Sequence, residues 1–157
     1  MSRSLLARGG GYRGRCLELD CVPTSTLKGE IDDFIAAGTI VIGKHVFLSF
    51  GANYEVDSPA AGARVDGKIK VCLPDTVNDT YRLTCLIWTF ADDNGNVYPA
   101  MYIDNGPYSG TLALQNSCEC ASSSTFYQWA DGAGDGFHNA VIALDNPASG
   151  YVDVIIG

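Results

Sequence analysis

Two histidines, His45 and His138, and six cysteines, Cys16, Cys21, Cys72, Cys85, Cys118 and Cys120, are the side chains of this chain best suited to acid–base, nucleophilic or metal chemistry. The histidines stand far apart on strand-like segments. A catalytic or metal role would need carboxylates gathered around them in space, and the plainer expectation is a partly buried structural imidazole. Cys72 and Cys85 are equidistant from the Asn78-Asp79 pair. If that pair is a hairpin apex, the two thiols oppose each other at the separation a disulfide spans, roughly 4.4–6.8 Å between Cα atoms, so they are the candidate bridge. Cys16 and Cys21 could close a small loop, and Cys118 and Cys120 share a face if extended. Those four are a loose match to four-cysteine zinc spacing. Free thiols, disulfides and zinc all stay open at this level, and no metal or cofactor is assigned.

Other motifs are weaker. Asp92-Asp93-Asn94-Gly95-Asn96 alternates oxygen donors but lacks the rest of a calcium loop, including its terminal glutamate; Asn-Gly reads better as a hairpin turn. Asp131 and Asp135 sit among glycines, as surface loops do. No nucleophile elbow, zincin helix or phosphate-binding loop is present. An aromatic group, Tyr98, Tyr102, Tyr108, Phe126, Tyr127 and Trp129, suits a protein interface, with a carbohydrate platform as the rival and core filling as the plain alternative. Tyr108, Phe126, Tyr127 and Trp129 are the candidate contact residues from this group.

Charge is divided along the chain. Residues 1–28 carry five basic against two acidic side chains, a net of +3, and residues 29–157 carry five against sixteen, a net of −11. No lysine or arginine follows Arg82. Residues 1–15 form an arm-like segment with Arg3, Arg8, Arg13 and Arg15 around Gly9-Gly10-Gly11; these arginines are the other candidate partner contacts, since guanidinium forks onto carboxylates. An acidic body argues against nucleic-acid binding. No run approaches the roughly 20 apolar residues of a membrane span. The N-terminal apolar stretch is too short for a signal peptide, so an intracellularly made, unprocessed product is expected.

The elements that must position these residues read as strands. Residues 1–28 are expected to be arm and lead-in, and 29–157 one β domain. Gly29–Ala37 is expected as one short helix ending at Gly38. Thr39–Phe50 is a long apolar run broken at Gly43. Arg64–Leu73 alternates, with Val65, Ile69, Val71 and Leu73 on one face and Arg64, Asp66, Lys68 and Lys70 on the other, and Gly67 marks a close backbone approach. Tyr81–Phe90 is apolar on both faces, and a hairpin at Asn94-Gly95 returns through Val97–Ile103. Residues 104–136 read as an elaborated loop excursion. Phe137–Leu144 and Tyr151–Ile156 are strands joined by a turn, with Val152, Val154 and Ile156 inward. The fold class is all-β, a small barrel or sandwich with an extended N-terminal arm and at most one short helix.

Two stretches resemble the small capsid-cement, or head-decoration, proteins of tailed bacteriophages. One is Ala37-Gly38-Thr39-Ile40-Val41-Ile42-Gly43 with Val46-Phe47-Leu48 and Ala60-Ala61-Gly62-Ala63-Arg64-Val65. The other is Ala140-Val141-Ile142-Ala143-Leu144 with Ala148-Ser149-Gly150-Tyr151-Val152-Asp153-Val154-Ile155-Ile156-Gly157, like that family's closing hairpin. The resemblance implies a small β-barrel-like domain, commonly trimeric, on the capsid exterior, with the major capsid protein as partner and no catalytic residues. A carbohydrate- or receptor-binding β-domain is the alternative expectation, followed by a self-assembling tail-tube or head-completion subunit. A hydrolase comes last.

Overall fold

A computed structural model describes residues 16–49, 51–60, 65–91, 94, 97–99, 102–108, 110, 118–120, 128–131, 141–143 and 150–156. The described chain is all-β with one helix. Five strands close into a barrel: β1 (Leu17–Pro23), β2 (His45–Leu48), β3 (Glu55–Asp57), β4 (Gly67–Asp75) and β5 (Thr80–Ile87), in the order β1-β3-β2-β4-β5. β1 closes the barrel by pairing antiparallel with β5 and parallel with β3. Residues 17–23 are therefore a wall of the barrel and not a lead-in. Their polar outer positions, Glu18 and Asp20, conceal a strand whose inner side carries the buried Cys21.

The helix α1 (Ser25–Ala36) starts four residues before the expected Gly29. Thr24 is its cap: the hydroxyl oxygen accepts the Leu27 N–H at 3.1 Å and its proton goes to Asp57 at 2.7 Å. Leu27 and Ile31, one turn apart, are fully buried in the barrel core, with Phe34 packed against it. The following run is strand only over β2. Residues 39–44 are loop, leaving Ile40 and Ile42 exposed.

β4 holds the decisive irregularity. Gly67 pairs with Ile87, Lys68 with Leu86 and Ile69 with Cys85; beyond a bulge at Lys70, Val71 pairs with Thr84, Cys72 with Leu83 and Leu73 with Arg82. One extra residue reverses the alternation, so Ile69 points into the barrel while Val71 and Leu73 point out. The expected single face of Val65, Ile69, Val71 and Leu73 is thus split. Gly67 is the expected close approach: a Cβ there would lie 2.0 Å from the Leu86 carbonyl oxygen.

The remaining strands build a second layer. β6 (Thr89–Ala91) and β7 (Val97–Pro99) form the hairpin around Asn94. β8 (Tyr102–Pro107), β11 (Val141–Ala143) and β12 (Tyr151–Ile156) form a sheet in the order β11-β12-β8, and β9 (Cys118–Cys120) pairs with β10 (Trp129–Asp131). Residues 104–136 are therefore no simple excursion, since β8, Cys118 and Trp129 contribute to structure and core. The second core comprises Val65, Trp88, Cys118, Trp129, Ala143, Val152 and Val154, and Phe34 touches both cores. Val152 and Val154 point inward as expected.

Candidate functional site

The chemically richest place is the seam between the barrel and the second sheet. His45 on β2 and Lys68 on β4 are cross-strand partners, and both meet residues of the other layer. Asp104 of β8, 1% exposed, accepts a hydrogen bond from the Lys68 ammonium and another, at 3.0 Å, from the Trp129 indole N–H. The His45 ring lies 4.4 Å from the Trp129 ring, tilted by 44°. Gly106 makes the approach feasible, because a Cβ there would sit 2.9 Å from the Asp104 carboxylate and 3.1 Å from the indole.

Electrostatics decide what this cluster can do. Burial pushes the His45 imidazole down to about 3; Asp104 pulls it up, while Lys68 and Lys44 add to the lowering. Burial alone would raise the Asp104 carboxyl. The Lys68 charge, with hydrogen bonds from Lys68 and Trp129, outweighs burial and holds it below the ordinary carboxylate range. A general acid or base works best with a pKa near the operating pH; His45 is neutral far below it, and Asp104 is committed to two donors. The arrangement is suited to locking two layers together.

A second cluster has the types of a serine–lysine dyad. Buried Lys44 donates to the Ser58 hydroxyl at 2.7 Å and lies 3.1 Å from Glu30 Oε2, near enough for an ion pair without hydrogen-bond alignment. The ammonium is donor to the serine here, whereas a catalytic base would have to accept the serine proton. The third cluster is a thiol pair. Cys21 and Cys85 sit inside the barrel, hydrogen-bonded to each other; that bond and burial raise Cys85, and the same bond lowers Cys21.

The sequence-based candidates fare unevenly. Cys72 and Cys85 are both free thiols, and they are not opposed: Cys72 pairs with Leu83 and Cys85 with Ile69. The symmetric reading about Asn78-Asp79 fails because the hairpin turns one position earlier. Tyr108 and Trp129 are brought together by an isolated parallel bridge. Trp129, however, is 1% exposed and belongs to the core, so its assignment as a contact residue is corrected; Tyr108 is half-buried against the same core. Arg3, Arg8, Arg13, Arg15, Phe126 and Tyr127 lie outside the described residues. Asp104, Lys68 and Gly106 were missed as a site. Their only signal is spatial, since Asp104 and Gly106 sit in an Asp-Asn-Gly stretch that reads as loop. Among the described residues no group of three or more histidine, cysteine or carboxylate side chains could hold a metal ion. No protein-family model, curated protein or solved structure matches the chain.

Proposed function

We propose that this chain is a non-enzymatic virion structural protein that binds and stabilises an assembled phage capsid. The observation that carries the reading is the point of attachment of the arginine-rich segment. Leu17 opens a barrel strand that pairs with β5 from its first residue, so the arginine-rich residues 1–15 adjoin in sequence a wall of an otherwise acidic body. Such a segment can reach a neighbouring acidic surface, where Arg3, Arg8, Arg13 and Arg15 pair with carboxylates of the major capsid protein or of another copy. Ordering the segment costs about 1–2 kcal/mol per residue in backbone entropy, and repeated docking around a capsid axis offsets this through effective concentration. The buried Asp104 cluster supports the same reading, because its hydrogen bonds join the barrel to the second layer. Its locations are the host cytoplasm during synthesis and the capsid exterior afterwards.

Co-sedimentation with assembled heads tests the proposal. The full chain should pellet with heads, and a variant lacking residues 2–15 should stay in the supernatant. Equal decoration by both would remove the role of the arginines, and no decoration by either would remove the capsid reading.

A further inference from the structure

The bulge at Lys70 turns aliphatic side chains to the outside of a barrel that has room for them only within. Val71 is 36%, Leu73 57% and, at the hairpin tip, Val77 90% exposed, with Val22 exposed on β1. The outer face of β1, β5 and β4 can be mapped from the register. One row runs Asp20, Thr84, Val71; the next toward the tip pairs Arg82 with Leu73; the next away from it runs Glu18, Leu86, Lys68, and there Lys68 turns to buried Asp104 of β8 and closes the free face. Glu18 is engaged by Lys70, and Asp20 only weakly by the Thr84 hydroxyl at 3.4 Å. Arg82 is exposed and forms no ion pair among the described residues, although Asp75 feels its charge.

A strand bulge that exposes Val71 and Leu73 beside an unpaired guanidinium is poorly explained by the stability of a lone barrel, because apolar groups gain by leaving water. We propose that this face is a self-association surface whose occupant is a second copy of the same face. Its charge pattern is complementary to itself. A twofold axis lying in the interface at Val71 sets Val71 against Val71, Leu73 close to Leu86, and Arg82 of each copy over Asp20 of the other. Such an isologous contact closes at two copies. The face is three strands wide and about six residues long, roughly 14 by 20 Å, below the footprint of a standard interface of about 800 Å² per partner. The dimer is therefore reversible. This twofold dimer differs from the trimer that the cement-protein resemblance implies, and it holds whether or not the capsid reading above does.

Sedimentation velocity of the full chain over a concentration series tests it, with no capsid present, so its failure is separate from failure of the capsid reading. The wild type should pass from monomer to dimer. Leu73→Asp, at an exposed site, should keep the circular dichroism and melting of the wild type and weaken the dimer about tenfold or more, the loss typical of an interface anchor. Arg82→Asp and Asp20→Arg should each weaken it, and the double variant, which restores opposite charges across the axis, should recover much of the loss. A wild type monomeric throughout overturns the proposal. So does a dimer or trimer that Leu73→Asp leaves intact, or a double variant no better than the two single ones.

Discussion

Asp104 holds the two layers together through two donors from different elements, Lys68 of the barrel and Trp129 of the β9–β10 hairpin. Removing one partner of a buried ion pair leaves the other charge unsatisfied, so Asp104→Ala should cost about 3–5 kcal/mol in urea unfolding. His45 sets the response to acid. Its folded value of about 3 lies below the ordinary value of about 6.5, so the unfolded chain binds a proton that the folded chain refuses. The stability from neutral His45 is complete above pH about 6.5 and falls by about 1.4 kcal/mol per pH unit below it. Asp104, also lowered, acts in a more acidic window: its contribution is present above pH about 3.9 and is lost on going down through its folded value. His45→Phe, which keeps a ring beside Trp129, should flatten the stability profile between pH about 6.5 and about 4.5. A slope equal to that of the wild type in this window would show that another group titrates there.

Elements show where the sequence was legible and where it was not. The inward set Val152 and Val154, the hairpin around Asn94 and the close approach at Gly67 all follow from period-two patterning and turn chemistry. The bulge at Lys70 does not, because Lys68-Ile69-Lys70-Val71-Cys72-Leu73 alternates without a break and only the pairing with β5 shows that one residue is extra. That single shift accounts for the outward turn of Val71 and Leu73, while the misplaced cysteine pair follows from the hairpin turning one position earlier, which sets Cys72 against Leu83. Strand β1 escaped notice for a different reason: its buried positions are Cys21 and Pro23, not a run of valines, and its charge resembles that of the arm. A pair of substitutions two turns of the pleat apart tests the bulge. Ile69→Ala should cost about 2–5 kcal/mol as a core truncation, whereas Leu73→Thr should change stability by no more than about 0.5 kcal/mol. Equal costs at the two positions would mean that both side chains face the core.

At the scale of the whole molecule, charge and architecture divide in the same place. The net positive charge of residues 1–28 ends in the strand and helix that begin the barrel, and the acidic remainder forms the other barrel strands and the second layer. A fully closed barrel has no long open edge through which copies could stack by strand addition. On the barrel, the proposed self-association is therefore left to a face, the outward Val71–Leu73 face, whereas the β11-β12-β8 sheet keeps β11 and β8 as its edges. A cement protein binds the assembled shell better than its separated subunits, and by linkage it stabilises whichever state it binds. The most direct measurement is the temperature at which DNA-filled heads release their DNA, with and without saturating amounts of the full chain. The account predicts a higher release temperature when the chain is present. A temperature unchanged on heads shown to be saturated would contradict it.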